Sequence, residues 1–185
     1  MRYRLWVFIA TGLFVIGLGI GLIVSITMPT GIADFFSEEL SVLEELATAF
    51  GPSHAITAIF IFFKNASALL FCFIFSPILC LLPVLSLLLN GSLISFISVI
   101  VVEEESLGFL LAGLLPHGIF EIPAMIIGQA AALYFGVSVI VALFSREKNI
   151  LMPRFKQSLK YLLIAFILLV PAAIIETFVT PLFLQ

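Results

Sequence analysis

The sequence predicts an all-α, polytopic transmembrane helical bundle of about five spans, with a broken, re-entrant helix before the fourth. Three observations carry that reading. Of the 185 residues, 63% are hydrophobic and 10% charged, whereas soluble domains run nearer roughly 45–50% and about 25%, so no water-soluble fold could cover the apolar surface. The apolar runs are long and do not alternate. Inside lipid every backbone N–H and C=O must be bonded internally, which leaves helices or closed barrels, and the absence of a two-residue period selects helices. Finally, Pro, Gly and Asn divide the runs at intervals that suit crossings of a hydrocarbon core about 30 Å thick. The chain reads as one integral membrane domain with the lipid bilayer as its first partner. Its net charge of −3 leaves no basic footprint for nucleic acid.

Residues 5–28 form the first span, ended by Pro29-Thr30-Gly31. Met1-Arg2-Tyr3-Arg4 before it resembles the start of a signal peptide, but the uncharged run of 24 residues exceeds the roughly 7–15 of a cleavable segment. It therefore reads as an uncleaved anchor. Residues 32–50 set Asp34, Glu38, Glu39, Glu44 and Glu45 among Phe35, Phe36, Leu40, Val42, Leu43 and Leu46, an acidic amphipathic helix. Its acidity argues against docking on anionic lipid, which attracts Lys and Arg.

Residues 55–63 are too short to span and read as a lead-in to a second span over 66–89. Lys64-Asn65 between them either caps that span, with Lys64 snorkelling to the interface, or touches the broken helix. Asn90-Gly91 reads as a tight turn before a short third span over 91–102. Glu103, Glu104 and Glu105 follow directly. Each carboxylate would cost about 2.5–3.5 kcal/mol at mid-bilayer on insertion scales, so they must reach water or a polar cavity. Residues 107–115 read as a re-entrant half-helix closed by a structural break at Pro116, Gly118 and Pro123. The fourth span follows over 118–144, and a polar loop over 146–160 leads to the fifth span over 161–184, bent by Pro171 and carrying Glu176.

Of the eight basic residues, two precede the first span, five lie between Arg146 and Lys160, and one is Lys64. The positive-inside rule then places the N-terminus in the cytoplasm and the C-terminus outside, a multi-pass topology in the cell membrane. No internal repeat is evident, which weakens an inverted-repeat transporter reading. Cys72 and Cys80, eight residues apart, would lie about 12 Å from each other on a continuous helix and read as small packing residues, with metal ligation or an intersubunit bond as alternatives. Gly17-x-x-x-Gly21 is a close-packing spacing that serves either a homodimer or a contact within the chain.

One stretch looks chemically purposeful: Leu115-Pro116-His117-Gly118-Ile119-Phe120-Glu121-Ile122-Pro123. His117 and Glu121, four apart, share a helix face, and ionisable groups within a span are hypotheses of function. They serve as a hydrogen bond that pins the broken helix, as a polar site for a ligand or ion, or as catalytic groups. A divalent metal on His117 and Glu121 would need a third donor from Glu103, Glu104, Glu105, His54 or Glu176. His-x-x-x-Glu lacks the second histidine of the His-Glu-x-x-His pattern, and no nucleophile elbow, P-loop or glycine-rich nucleotide fingerprint is present. Glu176 should face the bundle interior within reach of His117 or Asn65.

The string Leu115-Pro116-His117-Gly118-x-x-Glu121-x-Pro123-Ala124, with Asn65 before the second span and Asn90-Gly91 after it, resembles the stage II sporulation protein M family, including archaeal and bacterial members outside spore formers. Family members often carry two adjacent asparagines where this chain has Lys64-Asn65. The resemblance implies a five-span component of a membrane-remodelling complex that works with peptidoglycan-degrading partners and acts as a scaffold. The leading expectation is thus a non-enzymatic scaffold or assembly subunit, with other membrane or envelope proteins as partners. A transporter or channel-like subunit with its polar site at the break, and a metal-dependent intramembrane hydrolase, are the competing expectations.

Overall fold

A computed structural model describes residues 3–27, 55–78, 80–145 and 148–183; the acidic segment 32–50 and His54 lie outside the described residues. Among the described residues five helices are long and apolar enough to cross a membrane: α1 (Tyr3–Thr27), α2 (Ala55–Phe75), α3 (Leu81–Glu104), α4 (Leu107–Ser145) and α5 (Leu151–Phe178). A short turn of 3₁₀ helix, Lys148–Ile150, precedes α5, and a four-residue helix, α6 (Thr180–Phe183), follows it. No strand occurs among the described residues. The chain is an all-α, multi-pass membrane protein.

The helix boundaries differ from the sequence reading in three places. The expected second span is divided, because α2 starts at Ala55 and stops at Phe75. Pro77 disfavours helical geometry in Ser76 before it, and α3 begins at Leu81 with Pro83 in its first turn, where a missing N–H does no harm. Asn90-Gly91 is no turn but the middle of α3. Asn90 Nδ2 donates to the Ser86 carbonyl one turn back at 2.7 Å, so its amide is satisfied inside the helix. Residues 107–115 are not a separate half-helix: α4 runs 39 residues through Pro116, Gly118 and Pro123. Each proline frees one carbonyl, and a spanning helix tolerates this where neighbours supply donors or solvation. At 1.5 Å per residue α4 is roughly 58 Å long, about twice the hydrocarbon thickness.

The core is organised around α4. Along its most apolar stretch 56% of residues are buried, against 17–33% for the other four spans. Gly128 through Tyr134 are buried without interruption, so the helix is enclosed on all sides there. One side packs on α1 and α3 through Ala130, Ala131, Leu133 and Tyr134, which meet Trp6, Ala10, Phe14 and Leu87. The other packs on α2 and α5 through Ala124 and Ala132, which meet Leu69, Phe73, Leu162, Ala165 and Leu169. Small side chains on α4 suit this position, because helix association in lipid rests on close van der Waals packing rather than on the hydrophobic effect.

α1 and α3 lie side by side and parallel at backbone distance. A Cβ built on Gly17 would overlap the Leu88 carbonyl, one on Gly21 the Ser92 carbonyl, and one on Gly91 the Phe14 carbonyl. Ser92 Oγ donates to the Gly17 carbonyl at 3.0 Å. The Gly17-x-x-x-Gly21 face is therefore occupied within the chain and unavailable to a second copy. Outside this frame, Phe8, Val15, Ile23, Ile59, Leu163 and Phe144 are exposed as a lipid-facing surface. Cys72 and Cys80 are both buried free thiols.

Candidate functional site

Polar side chains converge where α4 meets α2, α5 and α6. His117 and Glu121 sit one turn apart on α4, with Nε2 and Oε2 separated by 3.9 Å and side chains 15% and 33% exposed. Asn65 of α2 donates from Nδ2 to Glu121 Oε1 at 3.0 Å. The neighbouring Lys64 is exposed, and both residues lie within α2 without breaking it. From the other side, His117 Nδ1 lies 3.3 Å from Thr180 Oγ1, and Thr180 Oγ1 donates to the Ile175 carbonyl at 3.3 Å. Glu176 completes the group: one ligand atom each from His117, Glu121 and Glu176 lie within 4.8 Å of one another.

These contacts fix the chemistry of each group. With the Thr180 hydroxyl proton donated to the Ile175 carbonyl, its oxygen is free to accept from His117 Nδ1–H in the tautomer that leaves Nε2 unprotonated. His117 Nε2 is then a lone pair. Asn65 engages Oε1 of Glu121, leaving Oε2 free.

A cavity of about 50 Å³ continues from Glu121 along the same face of α4 and is lined by Asn65, Ser86, Asn90, Met125 and Gln129 among others. Gln129 is 1% exposed; its Nε2 donates to Ser86 Oγ at 2.8 Å, while its Oε1 has no partner among the described residues. Beyond Gln129 the face is closed by the buried Ala130, Ala131, Ala132 and Leu133. Toward the basic end, α4 makes a separate set of bonds. Tyr3 of α1 donates its hydroxyl to the Ile127 carbonyl at 2.8 Å and stacks on Tyr161, with ring centroids 3.5 Å apart. The Tyr134 hydroxyl donates to Gln157 Oε1 at 3.2 Å, with the Arg154 guanidinium 5.9 Å from the Tyr134 ring centre.

Of the residues singled out from sequence, His117, Glu121, Glu176 and Asn65 are brought together. Pro116, Gly118 and Pro123 lie inside α4 around them rather than ending a helix. Glu103, Glu104 and Glu105 are exposed at the end of α3 and its following turn and contribute no ligand atom to this group. Sequence reasoning missed Thr180, Ser86 and Gln129. Gln129 was findable: it stands alone in an apolar run, eight residues after Glu121 and so on nearly the same helix face.

Known proteins show sequence similarity to the chain. The family model for stage II sporulation protein M matches residues 10–181. The chain belongs to that family. An uncharacterized protein of Methanocaldococcus jannaschii is 38% identical over 99 residues, which are 52% of this chain and 56% of the relative. The chain therefore spans about half the length of the curated relative it matches. No solved structure matches.

Proposed function

We propose that this stage II sporulation protein M family member is a non-enzymatic scaffold, an assembly subunit of a multiprotein complex in the cell membrane or envelope, with its basic end in the cytoplasm and its acidic end outside. The observation that carries the reading is that α4 is tied by side-chain hydrogen bonds to every other span. Tyr3 reaches it from α1, Asn65 from α2, Ser86 from α3 and Gln157 from α5, while Thr180 of α6 meets His117. Interhelical bonds of this kind average about 0.6 kcal/mol and reach roughly 1.7, so as a set they fix one arrangement of five spans. A rigid frame is what partners need to dock against. The cavity of about 50 Å³ has room for a water or two, and the alanine-rich layer beyond it supports a frame over a solute path.

The test compares the chain alone with the chain in its own membranes. Reconstituted in vesicles, the purified protein should pass no ions or small solutes above the empty-vesicle rate. Solubilised gently from its own cells, it should migrate as a larger assembly, and His117→Ala should release the partners while the isolated chain stays folded, its stability lowered by no more than the roughly 0.6–1.7 kcal/mol of one interhelical bond. Ion flux abolished by Glu121→Gln would replace the scaffold with a transporter. A chain that migrates alone from native membranes would refute it as well.

A further inference from the structure

We propose that His117, Glu121 and Glu176 form a binding site for one zinc-class divalent cation, a property that goes beyond the scaffold reading and does not depend on it. The argument starts from which atoms remain free. Asn65 occupies Oε1 of Glu121 and Thr180 occupies Nδ1 of His117. The two atoms left over, Oε2 and Nε2, face each other at 3.9 Å, and Glu176 joins the same group, in which one ligand atom from each of the three residues lies within 4.8 Å of the others. Among the described residues Glu176 makes no hydrogen bond. Two carboxylates held together on spanning helices repel one another, and a bound cation relieves that repulsion more directly than the exposed Lys64, the cation of the chain that acts on Glu176. A dication with two carboxylates and a neutral imidazole makes a set of zero net charge, which the bilayer tolerates.

The geometry suits a small ion. An atom centred among three donors so spaced would sit no more than about 2.8 Å from each, against roughly 2.0–2.2 Å for zinc to nitrogen or carboxylate oxygen. Contraction of up to about 0.6–0.8 Å along each arm closes the shell, within reach of side-chain rotation. The imidazole favours a first-row transition ion over magnesium or calcium, which prefer all-oxygen shells. Asn65 and Thr180 are the outer partners that orient ligating groups in metal sites. A second observation points the same way. A cavity lined by Asn65, Glu121 and Gln129 opens beside Glu121, which gives water room next to one of the three ligands.

The test uses the full chain in detergent or nanodiscs, freed of affinity tag and stripped with chelator. Titration with zinc should saturate at one equivalent per chain, and cobalt should give the visible bands of a tetrahedral nitrogen–oxygen site, while calcium and magnesium compete weakly. Glu176→Gln and His117→Asn should abolish the equivalent. Thr180→Val, which keeps every ligand, should weaken affinity roughly 10–100-fold at unchanged stoichiometry. That variant, together with the wild-type cobalt spectrum, decides the matter even if a ligand variant fails to fold. No saturable equivalent in the wild type, or an equivalent that survives both His117→Asn and Glu176→Gln, would overturn the site. Either result would leave the vesicle and assembly outcomes of the scaffold test unchanged.

Discussion

Gly19→Ala and Gly21→Ala, two residues apart on α1, should have opposite effects. At Gly21 a new Cβ would overlap the Ser92 carbonyl oxygen and lie 2.8 Å from its Cα. The obstacle is backbone, so no rotamer change relieves it, and α1 must move away from α3. Overpacking of this kind costs about 1–3 kcal/mol. Loss of the Ser92–Gly17 hydrogen bond adds about 0.6 kcal/mol, and the better helix propensity of alanine returns about 0.8–1.0 kcal/mol. The net expectation is destabilisation by about 1–3 kcal/mol. At Gly19 the same Cβ meets nothing within 4 Å, so only the propensity gain remains and the variant should be neutral or up to about 1 kcal/mol more stable. Trp6 is the single tryptophan, buried beside Tyr134, and its fluorescence during reversible unfolding in mixed micelles with dodecyl sulfate reports the bundle directly. Equal loss of stability in both variants, or none in either, would refute the glycine contact as the basis of α1–α3 pairing.

Three further outcomes are expected. Tyr3→Phe keeps the stack on Tyr161 but removes the bond to the Ile127 carbonyl, and should lower stability by about 0.5–1.5 kcal/mol in the same assay; an unchanged midpoint would mean the hydroxyl is idle. Cys72 and Cys80 should resist a maleimide in the native protein and both react after denaturation, and rapid native labelling would contradict their burial. In a cysteine-free background, Glu104→Cys should be labelled from outside intact cells by an impermeant reagent, and Lys156→Cys only after permeabilisation. The reverse pattern would invert the proposed orientation.

Five spans and an all-α class were legible because hydropathy and length depend on composition, which the bilayer reads directly. Helix ends were not, since each depends on what a residue touches. Asn90 looked like a turn residue, yet its amide is satisfied by Ser86 within one helix, and Gly91 beside it is required by the close approach of Phe14. Lys64-Asn65 looked like a boundary, but one side chain leaves for the surface while the other finds Glu121. The true boundary at Ser76-Pro77 was hidden by the unbroken apolar character of its surroundings, although Pro77 and Pro83 together marked it. Of the candidate site, the His117–Glu121 spacing exposed one face of α4. The bond from Thr180, 63 residues away in sequence, depends on how α6 is set after α5, and no local pattern encodes that.

The link between α2 and α3 illustrates a constraint on biogenesis. Cys80 holds a left-handed backbone at φ 56°, a conformation unfavourable to any residue with a Cβ. Its sulfur and the Ser76 carbonyl occupy the space left by Gly136 of α4, where a Cβ would lie 2.7 Å from the sulfur. The seat for this reversal is thus made 56 residues after the reversal itself. The same holds for the bundle as a whole, because α4 is fourth to leave the ribosome yet lies at the centre of all the others. α1 and α3 can pair through their glycines as soon as both are inserted, but α2 has no core until α4 slots between the two halves. Order of synthesis and order of burial run in opposite directions, so α2 must wait in lipid, apart from the α1–α3 pair, for the helix that joins them.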